Sequence, residues 1–285
     1  MDKSKEEKKS DQDELVKNYF STYAEEYYKE NYDESLKNCY SYSHIVRKNH
    51  ILRMLDREGG KVLDIGCGPG VIALYILQRG CEVWGVDISE EMINEAAKQI
   101  EKTKYKEVAH FSVGDITSLD FPDAYFDAVI CSGVLEYLEN EELAIKEMHR
   151  VLKPDGIAII TVPTPQRFYT FMLNLSKFVL KPFIPKLKEI KYKRLKRGYR
   201  CDSSAMEFER GFKERYHRPK QLDKLIINNG FEKVDYAHYH FISLFLALIA
   251  PTLSLYLGER LDKVLYKSKL FGWFGKGYIV KAKKR

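Results

Sequence analysis

Apolar residues along this chain gather into short runs at Lys61–Ile65, Glu82–Asp87, Phe111–Ile116, Phe126–Cys131 and Ile157–Val162. Between these runs, apolar positions recur at helical spacing over Val71–Gln78, Ser89–Glu101 and Glu141–Leu152. Strand-length runs alternating with amphipathic helices predict an open, mostly parallel α/β sheet with helices on both faces. The punctuation agrees: Gly80 suits a helix C-cap, Ser89 a helix N-cap, and Lys153-Pro154-Asp155-Gly156 a turn into the fifth strand. Two helices, Leu15–Tyr28 and Ile45–Leu55, precede the first strand, and the first is aromatic at Tyr19, Phe20, Tyr23, Tyr27 and Tyr28. Further on, Pro219 suits the first turn of a helix that stops at Gly230, and Phe231–Tyr239 reads as a sixth strand.

The first run ends in Asp64-Ile65-Gly66-Cys67-Gly68-Pro69-Gly70, a strand breaking into alternating glycines before a helix. Gly66 and Gly68 remove Cβ atoms that would keep a ligand off the backbone, and the following helix offers unpaired N–H groups. Such a turn holds a polar small molecule, although alone it fits a plain strand-to-helix connection equally. Its spacing misses the Gly-x-Gly-x-x-Gly of the dinucleotide fingerprint. The second run ends in Asp87, at the distance where a doubly wound fold places a ribose-binding acid, and the third ends in Asp115.

These residues resemble the class I S-adenosylmethionine-dependent methyltransferases over roughly residues 44 to 163 plus the C-terminal part, nearest the ubiquinone-biosynthesis O-methyltransferase type. The resemblance implies a Rossmann-like seven-stranded sheet whose last strand, Gly277–Lys283, runs antiparallel; the chain departs from a minimal member by helical insertions after strands five and six. The resemblance also implies S-adenosyl-L-methionine as cofactor. Asp64, Gly66, Cys67 and Gly68 would hold the methionine end, Asp87 and Ile88 the ribose, and Asp115 and Ile116 the adenine. Cys131 would line the pocket below the sulfonium. Arg47 matches an arginine that helps to hold the cofactor in this subgroup, the alternative being a solvated helix face. Tyr23 would reach the methionine end, against the plainer reading of an aromatic packing stripe.

The same type carries a metal-associated Glu-x-x-Glu-His pattern after the fourth strand, where this chain reads Gly133-Val134-Leu135-Glu136-Tyr137. Only Glu136 survives, so no metal site is carried over. No catalytic base is identified; Tyr137, His149 and His217 are candidates, with His44 a further one, and each histidine also suits an ordinary helix-surface or helix-start position.

The chain divides into a disordered lead-in (1–14), N-terminal helices over the cofactor (15–58), the binding core (59–163), a basic and apolar insertion (164–216), a core helix and strand (217–240), an apolar insertion (241–270) and a closing strand with a basic tail (271–285). From Lys177 to Arg200 Glu189 is the sole acid, and Phe241–Leu257 carries no charge. The latter is short for a membrane span and holds Pro251. Both insertions follow carboxyl ends of strands, the ligand side of such sheets. They suggest a lid for a small-molecule or lipophilic acceptor and contact with an anionic membrane, the alternative being a soluble cap. The start of the chain lacks a signal-peptide pattern and the five cysteines suggest neither disulfides nor zinc, so a cytoplasmic protein, peripheral to the inner face of the membrane, is expected. The formal charge of +6 leaves RNA modification as an alternative, although the Asn/Asp-Pro-Pro-Tyr/Phe motif of base-methylating enzymes is absent. A non-catalytic cofactor-binding protein is a second alternative, opposed by the full set of cofactor residues. The oligomeric state is left open.

Overall fold

The computed structural model describes residues 3–32, 39–165, 212–241, 251–269 and 271–285. Two helices, α1 (Lys3–Tyr32) and α2 (Cys39–Leu55), lead into β1 (Lys61–Ile65), α3 (Val71–Leu77), β2 (Glu82–Asp87), α4 (Glu90–Glu101), β3 (Ala109–Val113) and β4 (Phe126–Ser132). Then follow α5 (Glu141–Val151), β5 (Leu152–Pro163), α6 (Pro219–Asn228), β6 (Phe231–Tyr239), α7 (Pro251–Leu265) and β7 (Gly277–Lys284). The strands form one sheet in the order β3-β2-β1-β4-β5-β7-β6. β1 to β5 are parallel, and β7 enters antiparallel to both β5 and β6. The order reverses at β1, which puts the glycine turn at the switch point where open α/β sheets bind ligands.

Alternation along the strands divides the core into two layers. Val62, Ala128, Ile130, Ile159 and Ile279 pack with α2 and α3, whereas Leu63, Ile65, Val129, Cys131 and Ile160 pack with α5 and α6. Near-continuous burial in β4 is what a strand covered on both faces requires, and each fully buried Ile or Val contributes roughly 1.5–3 kcal/mol. The Ser89 cap is present, its hydroxyl accepting from the Met92 N–H at 3.2 Å. The expected turn at Lys153–Gly156 lies inside β5 as a register break against β4, with Asp155 at φ 63°.

The N-terminus departs from expectation. Instead of a disordered lead-in and a start at Leu15, α1 is helical from Lys3. Residues 3 to 14 are mostly Lys, Glu, Asp and Gln without Gly or Pro, so charge did not prevent helix formation. Most of the basic insertion, residues 166–211, and residues 242–250 of the apolar run lie outside the described residues. Among the described residues no helix is long and apolar enough to cross a membrane.

The end of β6 is pinned from a distance. Asp262 of α7 accepts from the Tyr42 hydroxyl of α2 at 2.5 Å and from the His240 N–H at 2.6 Å. His240 has φ 64°, a conformation that a residue with a Cβ adopts only when its surroundings over-determine it. Replacing Asp262 by Ala strands a buried hydroxyl and a buried amide. A stability loss of about 3 kcal/mol is expected in urea unfolding, with a smaller loss for Asp262→Asn, which keeps an acceptor.

Candidate active site

The turn after β1 is fixed by backbone: the Gly66 and Cys67 N–H groups both donate to the Val86 carbonyl, at 2.7 and 3.2 Å. Gly66, Gly68 and Gly70 have φ of 65°, 51° and 76°, the left-handed region. Their roles differ. A Cβ on Gly66 would lie 2.1 Å from Val134 Cγ2, so this glycine admits the Val134 side chain rather than a ligand. On Gly68 the nearest atom would be Met92 Sδ at 4.0 Å, so here the missing side chain leaves open space.

Asp87 binds the turn to β2. Its Oδ2 accepts from the Gly68 N–H at 2.9 Å and its Oδ1 from the Ser89 N–H at 3.0 Å. Burial raises its pKa while these amides oppose the rise, so the carboxylate is positioned with lone pairs left for a diol. Asp64 lies deeper, 1% exposed, with neither oxygen hydrogen-bonded. Burial first and Asp87 second push its carboxyl up to about 8. It is not on the cavity wall.

A cleft opens beside the turn, walled by Gly66, Cys67, Gly68 and Asp87 at one end and by Ile88, Asp115 and Ile116 at the other. Asp115 Oδ1 accepts from the Thr117 N–H and hydroxyl, both at 2.7 Å, which sets the carboxyl's orientation. The Cys67 thiol sits in the wall, its pKa pushed up by burial. Cys131 does not line the cleft: it is fully buried on the α5 side of the sheet, and the next residues, Ser132 and Gly133, form the wall instead. One step along a strand reverses the side-chain direction.

α1 closes the cleft with Asp13, Val16, Phe20 and Tyr27. These lie on one helical stripe, a spacing visible in the sequence but not read as a wall. Tyr23 falls at its edge, 36% exposed, with its ring 4.9 Å from that of Tyr19 and outside the wall. It does not reach the methionine end.

A second chamber adjoins the first, and Phe20, Tyr27, Arg47, Gly133 and Tyr137 wall both. Arg47 is therefore a junction residue rather than a solvated one, with Nη2 2.9 Å from His44 Nδ1. Tyr137 stands edge-on to Phe20 and Phe212, each at 5.6 Å between ring centres. His44 lines the second chamber, as do Glu136, Tyr239 and His240, which were not picked out as binding or catalytic residues. The other histidine candidates lie elsewhere. His149 packs edge-on against Phe231 at 5.2 Å, and His217 pairs with Glu141 while donating its N–H to the Pro163 carbonyl. Neither lines a chamber, and both serve the packing of α5 and α6.

S-adenosylmethionine fits these features. The unpartnered Asp64 carboxyl beside the turn is suited to a ligand ammonium, the open space at Gly68 admits a chain against the backbone, and Asp87 presents a carboxylate edge to vicinal hydroxyls. Among the described residues no three His, Cys, Asp or Glu side chains converge as a metal site.

Between its unfolded value and about 8, the folded protein holds a proton on Asp64 that the unfolded chain releases, so stability falls as pH rises through this window. Asp64→Asn removes that loss. Its thermal stability without cofactor should exceed the parent's by a margin that grows from pH 5 to pH 8, while cofactor affinity, read by calorimetry, falls about tenfold or more. Gly66→Val, forced onto Val134 at a positive φ, should abolish cofactor binding, and Asp87→Ala should weaken it by freeing the Gly68 amide.

The methyltransferase domain family matches residues 63–160. Over 215 residues the chain is 29% identical to a demethylmenaquinone methyltransferase of Lysinibacillus sphaericus, covering 74% of this chain and 86% of the relative. A ubiquinone biosynthesis O-methyltransferase of Psychrobacter arcticus is 24% identical over 185 residues, 64% of this chain and 63% of the relative. Two other curated relatives are matched over 41% and 43% of their own length, so the chain spans about two fifths of each. Among solved structures, magnesium protoporphyrin IX methyltransferase from Synechocystis PCC 6803, with bound SAH, shares the fold: TM-score 0.58 and 17% identity, over 96% of this chain and 100% of that one. Residues 63–160 thus form a methyltransferase domain, and the chain shares the Rossmann-like fold of the solved methyltransferase.

Proposed function

We propose that this protein transfers a methyl group from S-adenosylmethionine to an oxygen of a small lipophilic acceptor, working at the surface of an anionic membrane. The observation that carries the reading is the shared wall: a cofactor cleft and a second, aromatic-lined chamber meet at Gly133, Arg47 and Tyr137. When bound, the sulfonium supplies an activated methyl group. The chain's contribution is to hold the cofactor through Gly68, Asp87 and Asp115, with Asp64 behind the wall, to orient the acceptor in the second chamber, and to exclude water with the aromatic face of α1.

The names of two relatives, one for ubiquinone biosynthesis and one for demethylmenaquinone, favour a lipophilic acceptor. So does α7, where Leu253, Tyr256, Leu257, Leu261 and Val264 are exposed along one stripe while Ser254 and Asp262 are buried on the other. An exposed apolar stripe, in a chain whose sequence also carries a lysine- and arginine-rich run at Lys177–Arg200, suits the interface of an anionic bilayer, where each nearby cation contributes roughly 1 kcal/mol.

Membrane lipids, soluble metabolites and RNA, incubated separately with the protein and radiolabelled S-adenosylmethionine, test the acceptor. Label is expected in the lipid extract; label confined to the metabolite or RNA pool refutes a lipophilic acceptor. Sedimentation with phosphatidylglycerol vesicles tests the surface: binding at low salt should weaken at high salt and in Leu257→Glu/Val264→Glu, and its absence refutes membrane contact.

A further inference from the structure

Glu136 follows β4 in a short turn and is 5% exposed, with Oε2 lacking any hydrogen-bond partner. It lines the second chamber. A Cβ built on Gly133, which walls both, would lie 2.8 Å from Arg47 Nη1 and 3.5 Å from Glu136 Oε1. The place of a Gly133 side chain is thus taken by the Arg47 guanidinium, with the Glu136 carboxyl beside it. The rest of the second chamber is rich in rings: Tyr19, Phe20, Tyr27, Tyr137, Tyr216 and Tyr239. A flat aromatic acceptor suits such walls, and a hydroxyl on it supplies the donor that Glu136 Oε2 lacks.

Resting on the reading of the second chamber as the acceptor site, we propose that Glu136 is the catalytic base for a phenolic acceptor, taking the hydroxyl proton as the oxygen is methylated. The O–H bond breaks with its proton going to the carboxylate, the oxygen forms its bond to the methyl carbon, and the carbon–sulfur bond breaks with its electron pair kept on sulfur. Glu136 then returns the proton to solvent.

The electrostatic surroundings favour this assignment. Burial pushes Glu136 up to about 8, Glu214 adds to the rise and Arg47 opposes it. A base with that value matches a phenol better than an ordinary carboxylate does. Of the other groups on the chamber wall, His44 and His240 are held well below the usual histidine range, mainly by burial, so both are uncharged and weak as bases. Burial raises Tyr239 to about 12, and Lys276 completes the titratable wall.

Catechol, phenol and 4-nitrophenol serve as probes with radiolabelled S-adenosylmethionine. In the parent, transfer to catechol should rise with pH through an inflection near 8. Glu136→Gln should bind S-adenosylhomocysteine as the parent does, yet transfer about 100-fold or more slowly to catechol and phenol, without the inflection. Its deficit should shrink for 4-nitrophenol, whose hydroxyl is already ionised. Glu136→Asp, which keeps an ionisable carboxyl, should retain an inflection at a lower rate. Thermal unfolding without cofactor gives a second readout: the parent should lose stability as pH rises from 5 to 8, and Glu136→Gln should lose less. Transfer by Glu136→Gln within about threefold of the parent, with the same pH profile, overturns the proposal. A parent that binds cofactor but methylates no phenol overturns the acceptor class. A parent that binds no cofactor strikes instead at the reading on which both rest.

Discussion

The hydrogen bond from the Gly68 amide to Asp87 ties β1 to β2 through the ligand site itself. Three of the five turn residues, Gly66, Gly68 and Gly70, carry no side chain with which to hold a shape. The turn is held by the Val86 carbonyl on one side and the Asp87 carboxylate on the other, and both belong to the neighbouring strand. The register that places Asp64 beside Gly85 and Ile65 beside Val86 therefore also sets the cofactor cleft. A slip of one residue between β1 and β2 would turn the carboxylates away and dismantle the turn together with the core.

This arrangement concentrates negative charge where the fold least favours it. Asp64 and Asp87 are neighbours in a region of low dielectric, and Asp64 lacks even a hydrogen bond. Such a group is retained against its desolvation penalty when a ligand supplies the missing partner, and a cationic amino-acid end does so. Glu136 repeats the pattern in the second chamber, with Arg47 as a partial counter-charge. Strain follows the same distribution. His240 holds a positive φ only because Asp262, on α7, captures its amide while also gripping Tyr42 of α2. The chamber wall is thus braced by two helices that lie far apart in sequence.

What was legible in the sequence was what local pattern encodes. Short apolar runs, glycines before a helix, a serine cap and acids at strand ends mark β1 to β4, the turn, Asp87 and Asp115. The assignments that failed needed side-chain direction. The family resemblance implies Cys131 in the pocket, yet in β4 it alternates with Ile130 and points into the α5 layer. Tyr23 belongs to the right helix but to the edge of its cleft-facing stripe. His149 and His217 were chosen by residue type, and their partners, Phe231 and Glu141, lie 82 and 76 positions away. Glu136 was visible as a remnant of a motif, but its role depends on Gly133, Arg47 and the aromatic face of α1, which come together only after the chain has folded.

Gly133 shows how tightly the two chambers are coupled. It has φ 74°, so any side chain there strains the backbone, and a Cβ would press on Arg47 at 2.8 Å. Both constraints act on one residue because the chain turns sharply out of β4 at the wall that the two chambers share. A turn that merely ended the strand would need the conformation alone; the additional lack of space records that Arg47 reaches across the junction from α2. That wall is therefore a product of strand geometry and of a helix laid over it. It gives the N-terminal helices, which contribute no strand to the sheet, a direct part in shaping the site.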